Sequence, residues 1–395
     1  MYTLRPYQQT AVDKIKWASS LKGNDLISLP TGSGKSLIIA SIAADKDYSV
    51  LILQPTKEIL EQNYDKLVEI VDEEEVGIYS ASFRKKEIKK FTFATIGSIY
   101  KKPELFRHFK LVIIDEAAFV NPKRINSMYT SFISAIGSPK VVGLTATPYR
   151  LTPQYMRYKS GFIETITTIK LINRMRPMFW NRLIYNINVG DLINQGYLCK
   201  LKYRYIPLIQ QEDIKLNKSR SDFDLLAFEE QISYGDKAIY KVLFGCKMHF
   251  KSSLVFCSSV DQAEQLADRI TGAEVVSAKT KPKERKRIVE GFKDGSIEMV
   301  FNVGIFVCGF DHPALDCIVL LRPTRSLGLL YQMIGRGLRT APGKEYCTVV
   351  DMTDTIKKVG RIETFKIEKV DGKWNLTTEK GQWHNKELYR FAIQK

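Results

Sequence analysis

The chain contains no apolar run of about 18 residues, the length a membrane-crossing helix needs, and no N-terminal signal pattern. A spanning or secreted protein is therefore not expected, and a cytoplasmic location is. Six cysteines, Cys199, Cys246, Cys257, Cys308, Cys317 and Cys347, are scattered, with no CxxC pair and no histidine at zinc spacing. That excludes a disulfide framework or a zinc knuckle and leaves reduced, structural thiols. Low-complexity segments are missing as well. Acidic residues are the scarcer charge: 43 Asp and Glu stand against 60 Lys and Arg, a net charge of +17 over 395 residues. Such an excess favours a polyanionic partner, nucleic acid before membrane, because basic side chains that meet phosphates release condensed counterions. With 44% hydrophobic and 26% charged residues the composition is that of an ordinary globular protein, and the length predicts two or three domains.

What is present is an alternation of apolar strands and helices, twice over. DLISLP (25–30), SVLILQP (49–55), FTFAT (91–95), KLVIIDE (110–116) and KVVGLTATP (140–148) have the pattern of buried strands, with helical spacing over 35–45 and 57–71. Strands apolar throughout and separated by helices predict a parallel sheet covered on both faces. Residues 149–200 are weakly periodic and are expected to form an inter-domain connection, with helix around 189–196. The pattern resumes with SSLVFCSS (252–259), EVVSA (274–278), IEMVFNV (297–303), DCIVLLRP (316–323) and EYCTVVDM (345–352), separated by helical stretches. The expected domains are 1–148, a linker 149–200, a second domain 201–358 and a tail 359–395 of short strands. In that tail Trp374, Trp383, Tyr389 and Phe391 would pin the segment to the second domain or form a wedge that stacks on bases.

The strongest single signal is LPTGSGKS (29–36), between a strand and a helix. Small residues let the backbone N–H groups of Thr31, Gly32, Ser33 and Gly34 wrap around phosphate oxygens, Pro30 contributing only shape to the nucleotide-binding turn, and the helix start favours the negative charge. Lys35 would reach the β- and γ-phosphates of ATP, and the Ser36 hydroxyl would ligate Mg²⁺. Leu29 stands where the general P-loop pattern has glycine. A second apolar strand ends in Asp115 and Glu116, which brings two acids to the same sheet edge: Asp115 for Mg²⁺, Glu116 to orient the attacking water. About 300 residues beyond Lys35, YQMIGRGLR (331–339) carries Gln332, Arg336 and Arg339; two arginines three apart share one face of a turn and suit neutralisation of a departing phosphate.

In order and spacing these segments resemble the superfamily 2 helicases over roughly residues 4–352, which implies two tandem RecA-like P-loop domains, each a mostly parallel sheet flanked by helices. LRPYQQTAV (4–12) resembles the segment whose glutamine, here Gln8, reads the adenine edge, with Arg5 nearby. LQPTKEIL (53–60) and ATIGSIY (94–100) resemble the strand-contacting motifs Ia and Ib, which assigns Pro55, Thr56, Thr95 and Gly97 to nucleic acid. DEAA (115–118), LTATP (144–148), LVFCSS (254–259), FNVGIFVCGFDHP (301–313) and YQMIGRGLR stand for motifs II to VI. By the same resemblance Ser258, Asn302, Val303 and Gly304 face nucleic acid, while Gly309 and Asp311 approach the nucleotide. Two departures stand out: Ala118 replaces the usual Asp or His of motif II, and Met333 stands where many relatives have a further arginine.

LTATP, GFDHP and the connection IYNINVGDLINQGYL (184–198) are closer to the XPB-like and phage UvsW-like branch-migration helicases than to the RNA-remodelling branch. That resemblance implies ATP-driven movement on duplex or branched DNA. An RNA helicase, an ATP-gated clamp on branched DNA and a motor subunit of a restriction complex are the alternatives. RKKEIKK (84–90), KTKPKERKR (279–287) and KKVGR (357–361) are candidate DNA-facing patches, although each taken singly is more readily a solvated helix face.

Overall fold

The computed structural model describes residues 3–45, 47–121, 127–157, 163–209, 211, 214–217, 222–231, 237–305, 310–378 and 381–382. The chain divides into two compact units: Met1–Arg150 with Lys170–Asn188 and Ile367–Trp374, and Leu151–Ile169 with Val189–Lys366 and Asn375–Lys395. Each is built on a mostly parallel sheet with helical crossovers, as the strand pattern predicts.

The first sheet takes in β1 (Asp25–Ser28), β2 (Val50–Gln54), β3 (Val76–Ser80), β4 (Lys85–Lys86), β5 (Phe91–Thr95), β6 (Leu111–Ile114) and β7 (Lys140–Thr145). A two-stranded ribbon, β8 (Tyr149–Arg157) and β9 (Ile163–Leu171), follows in the chain, and then β10 (Arg182–Asn186), which returns to that sheet. The strand order is β10-β1-β7-β6-β2-β5-β3-β4, and only β3 and β4 pair antiparallel. α1 (Pro6–Ser19) precedes β1, α2 (Lys35–Ala44) leads to β2 and α3 (Lys57–Val68) to β3; α4 (Ile96–Ile99) and α5 (Met128–Ala135) complete the unit. β2 and β6 are buried at every residue, which is why they appear in the sequence as apolar runs, with Gln54 at the end of β2 the one polar residue. The chain leaves β1 for β2 and later fills the gap with β6 and β7. The C-terminal ends of β1, β7, β6 and β2 therefore stand side by side at the reversal of strand order, where open α/β sheets hold ligands.

The second sheet has the order β11-β16-β15-β12-β14-β13, all parallel: β11 (Lys200–Tyr205), β12 (Ser253–Phe256), β13 (Ala273–Val276), β14 (Met299–Asn302), β15 (Cys317–Leu320) and β16 (Tyr346–Asp351). Its helices are α6 (Val189–Asn194), α7 (Leu225–Gln231), α8 (Lys237–His249), α9 (Val260–Ala267), α10 (Pro282–Asp294), α11 (Leu327–Gly335) and α12 (Thr355–Val359). Phe228, Leu243, Phe301 and Val319 lie in its core. β17 (Lys366–Val370), β18 (Lys373–Thr378) and β19 (Gly381–Gln382) form a small sheet near the end of the chain.

Two stretches differ from the sequence-based expectation. The segment 149–200 does contain helix at Val189–Asn194, but it also supplies an edge strand to the first sheet, β10, while the start of β11 at Lys200 opens an edge of the second. The cause is tertiary: buried Asp25 accepts from Arg182 Nε at 2.6 Å and from Lys140 Nζ at 2.5 Å, fixing β10 against β1 and β7. In the tail, Trp374 donates its indole N–H to the Leu183 carbonyl at 2.5 Å, so it is pinned to β10 of the first unit and not to the second domain. Trp383, Tyr389 and Phe391 lie outside the described residues.

Candidate active site

β1 is buried along its length and hands the chain to a turn that opens α2. Leu29, the departure from the glycine pattern, extends the pairing with β7: its N–H donates to the Thr145 carbonyl at 2.9 Å and its side chain is fully buried. Gly32 and Gly34 have φ of +82° and +79°, the left-handed region that a Cβ strains. A Cβ on Gly34 would also lie 2.5 Å from the Gln8 amide nitrogen. Ser33 closes the turn, its Oγ donating to the Pro30 carbonyl at 2.7 Å.

The Ser33 carbonyl in turn accepts from Tyr7 Oη at 2.7 Å and Gln8 Nε2 at 2.9 Å, and Gln8 Oε1 accepts from the Arg5 amide at 2.9 Å. Gln8 thus braces the loop from α1, and Arg5 is exposed beside it. Tyr7 is the residue that sequence reasoning passed over. Its signal is the buried stripe Tyr7, Ala11, Val12, Ile15, Ala18 at helical spacing, which turns the Tyr7 ring inward beneath the loop.

β6 carries the acids. β7 lies between β1 and β6, so the loop and Asp115 are two strand spacings apart, about 10 Å. Asp115 is buried and hydrogen-bonded at both oxygens: Oδ2 accepts from Asn63 Nδ2 at 3.0 Å and Oδ1 from the Glu116 amide at 2.9 Å. Burial, then the neighbouring Glu116 charge, push its carboxyl up to about 6, while Lys35 and the hydrogen bonds from Asn63 and the Glu116 amide pull the other way. Lys35 Nζ stands 3.8 Å from Glu116 Oε1, both side chains 13% exposed. The structure therefore brings Lys35, Asp115 and Glu116 together, with Ser36 half-buried on the first turn of α2. Asn63 was not foreseen, although it interrupts the buried stripe Ile59, Leu60, Leu67 of α3 with an amide, and that is a readable sign. The small residue after Glu116 has a packing reason: Gly143 of β7 lies under Ala117 and Trp180, and a Cβ there would overlap the Trp180 ring and come within 2.6 Å of Ala117 Cβ.

The expected nucleic-acid residues of the first unit stand at the same sheet edge. Thr56, after Pro55, caps α3 through Oγ1, which accepts from the Ile59 amide at 3.4 Å. Thr95 Oγ1 is 2.8 Å from Ser98 Oγ and 3.1 Å from Ser80 Oγ, and Gly97 faces open space. β2 and β5 are neighbours in register, Gln54 opposite Thr95, so the two contact points are adjacent.

In the second unit, β12 and β14 are likewise paired, which sets Ser258 near Asn302, Val303 and Gly304. The Ser258 amide donates to Gln262 Oε1 at 2.7 Å. Asn302 is buried and its Oδ1 accepts from the Ile305 amide at 3.2 Å, shaping the turn on which Gly304 is exposed. Arg336 donates through Nη1 to the Phe310 carbonyl at 2.8 Å and through Nε to the Gln332 carbonyl at 3.4 Å. Arg339 is ion-paired with Asp311, and burial lowers its guanidinium to about 10, still cationic near neutrality. Met333, at the position of the missing arginine, is fully buried core. Gly309 lies outside the described residues.

The family model described as "Type III restriction enzyme, res subunit" matches residues 1–150, and "Helicase conserved C-terminal domain" matches residues 236–341. The first covers the loop and the acids, the second the paired arginines. The chain belongs to the superfamily 2 helicases. It is 27% identical over 382 residues to IRC3 of Saccharomyces cerevisiae, named as an ATP-dependent helicase, covering 88% of this chain and 51% of the yeast protein. It is 25% identical over 376 residues to the DNA 3'-5' translocase XPB2 of Sulfurisphaera tokodaii, covering 85% and 78% of the two chains. The chain thus spans about half the length of the yeast relative. Among solved structures, this superfamily 2 chain resembles a fragment assigned to the HsdR subunit of a type I restriction enzyme from Vibrio vulnificus, with TM-score 0.66, 17% identity, and coverage of 92% of this chain and 67% of the other. The restriction-modification enzyme LlaBIII bound to DNA gives TM-score 0.63 at 14% identity, covering 89% and 28%.

Proposed function

We propose that this superfamily 2 protein is an ATP-driven DNA translocase or helicase that acts on duplex or branched DNA. The observation that carries the reading is the meeting of Lys35, Glu116 and Asp115 at the phosphate loop. The loop amides and Lys35 bind the β- and γ-phosphates of ATP. Asp115 and the Ser36 hydroxyl offer hard oxygen donors, which fit Mg²⁺, a cation that keeps its remaining positions for water and phosphate. Bound there, Mg²⁺ would neutralise charge on the phosphate oxygens. Glu116 orients the attacking water and takes its proton. Arg336 and Arg339 are the candidates for stabilising the departing phosphate. For Arg339 that requires exchanging Asp311 for phosphate.

The charge of +17 suits either nucleic acid, and DNA is favoured over RNA by likeness to proteins named as a DNA translocase and as DNA-bound restriction enzymes. Fork remodelling and junction migration, within replication, recombination and repair, are the uses proposed for such movement. A reducing, cytoplasmic compartment suits the free, buried Cys199, Cys246, Cys257, Cys317 and Cys347, and no described helix is long and apolar enough to cross a membrane. The test is ATP turnover with no nucleic acid, single-stranded DNA, duplex DNA, a four-way junction and RNA, against a Lys35→Ala blank. Duplex or junction DNA should stimulate most. Stimulation by RNA alone would replace the reading with an RNA helicase, and no stimulation by any nucleic acid would replace it with an ATP-gated clamp or a motor that needs a partner.

A further inference from the structure

The turn that carries Arg339 is held by a side chain that the phosphate chemistry does not use. α11 ends at Gly335, a single turn of 3-10 helix covers Arg336–Leu338, and the chain is extended again at Arg339. Ala341, Pro342, Gly343 and Lys344 then reverse its direction. The Lys344 amide donates to the Ala341 carbonyl at 3.1 Å, and Gly343 has φ of +74°. Proline second and a left-handed glycine third are what a type II turn demands. The reversal returns the Lys344 side chain to the segment just left.

There its ammonium donates to three carbonyls, those of Gly337 at 2.9 Å, Arg339 at 2.8 Å and Pro313 at 2.9 Å. Three acceptors fill the three N–H groups of a lysine ammonium. Burial lowers this ammonium from its ordinary value, the mark of a side chain enclosed rather than solvated. The carbonyl in between, that of Leu338, accepts from the Cys199 amide at 2.7 Å. A Cβ on Gly337 would overlap Cys347 Sγ, so the turn is also packed from beneath. All three carbonyls from Gly337 to Arg339 are therefore claimed by groups outside the turn.

The same ammonium reaches the backbone of the residue paired with Arg339. Asp311, ion-paired with Arg339, lies between two fixed points: the Phe310 carbonyl accepts from Arg336 Nη1 at 2.8 Å, and the Pro313 carbonyl accepts from Lys344. Lys344 thus fastens the chain at Arg339 itself and two residues beyond Asp311. With both backbones fixed, opening of the Arg339–Asp311 pair is left to the two side chains.

We propose that Lys344 is a positioning residue for Arg339, fixing the two backbones that carry the Arg339–Asp311 pair so that the guanidinium turns to the departing phosphate by side-chain motion alone. It rests on the reading of the chain as an ATP-driven motor with Arg339 as its finger. Orientation of this kind bears on the transition state and not on nucleotide binding in the ground state, so the effect falls on kcat and not on KM.

The experiment is a double-variant cycle on the full chain with duplex DNA present, measuring kcat and KM for ATP in the wild type, Lys344→Met, Arg339→Ala and the two combined. Methionine keeps the length of the side chain and removes the donors. Lys344→Met should lower kcat about ten- to hundredfold with KM within a few-fold, and should lose nothing further, within about twofold, once Arg339 is alanine. A lysine that served stability alone would lower kcat by the same factor in both backgrounds. Equal factors, or a kcat in Lys344→Met within about twofold of the wild type, overturn the proposal and leave the motor reading in place. Lys344→Arg, which keeps the charge and donors, should recover part of the loss, and its cycle with Arg339→Ala has the same two outcomes should Lys344→Met not fold. An Arg339→Ala variant as fast as the wild type overturns the finger role and the proposal with it. A wild-type chain no faster than Lys35→Ala overturns the motor reading as well.

Discussion

Glu116 adopts φ of 49°, an unusual backbone for a residue with a Cβ, at a cost of about 1–2 kcal/mol. The bond from its amide to Asp115 Oδ1 holds it there, with its carboxylate turned to Lys35. The two residues should therefore separate in their phenotypes. Lys35→Ala should abolish both nucleotide binding and turnover. Glu116→Gln, which keeps shape and removes the proton acceptor, should lower kcat at least about a thousandfold while nucleotide affinity stays within a few-fold, read by single-turnover hydrolysis beside a binding titration. Retained turnover in Glu116→Gln would remove it from the water-orienting role. Arg339→Ala should likewise spare ATP binding and reduce kcat by about a thousandfold or more; unaltered turnover there would sink the finger assignment. Tyr7→Phe deletes one hydrogen bond to the Ser33 carbonyl, a loss of about 1 kcal/mol. It should weaken ATP binding several-fold without changing the pH profile of turnover.

At the scale of elements, two packing arrangements hold β7 and β10 in the first sheet. Gly143 has no room for a side chain because Ala117 and Trp180 close over it. Gly143→Ala should cost about 1–3 kcal/mol of stability, seen as a lower urea midpoint with an unchanged slope. Asp25 is buried between Lys140 and Arg182, whose side chains are 11% and 37% exposed. Removing the acid strands a nearly buried ammonium, so Asp25→Ala should cost about 2–4 kcal/mol, the lower part of the range because Arg182 can turn to water. A wild-type midpoint in Asp25→Ala would mean that β10 is held by its strand pairing alone. These arrangements also show where local sequence falls short. β6 and β15 are apolar throughout, β2 and β12 apolar but for the terminal Gln54 and Ser253, and all four are legible as buried strands; RLIYN of β10 is not, since its place depends on an acid 157 residues away. Asn63 and Tyr7 are partners of the same kind, recognisable only as breaks or large rings in otherwise regular helical stripes.

For the whole molecule, pH acts on the second unit through His312. Burial, then the positive charges of Lys344 and Lys293, lower its imidazole to about 4 from the ordinary 6.5, and its Nε2 lies 2.7 Å from Ser252 Oγ. The folded unit thus holds His312 neutral while the unfolded chain protonates it first. Its contribution to stability is full above about 6.5 and is lost as pH falls through the folded value near 4, up to about 3 kcal/mol over that window. Denaturant unfolding of the intact chain between pH 7 and pH 4 should show this decline, and His312→Gln should flatten it. An equal decline in both proteins would place the acid sensitivity elsewhere.

The sequence by itself determined the class of sheet, the phosphate loop, the two acids and the paired arginines, because each depends on local spacing: apolar runs of strand length, glycines at a turn, charges one helical turn apart. Only the tertiary structure decided which residues hold those groups in place. Asn63 and Asp115, Tyr7 and Ser33, Asp25 and Arg182, and Arg339 and Asp311 are matched by the order in which strands and helices pack. That order is set by burial summed over a whole sheet, and no local pattern carries it.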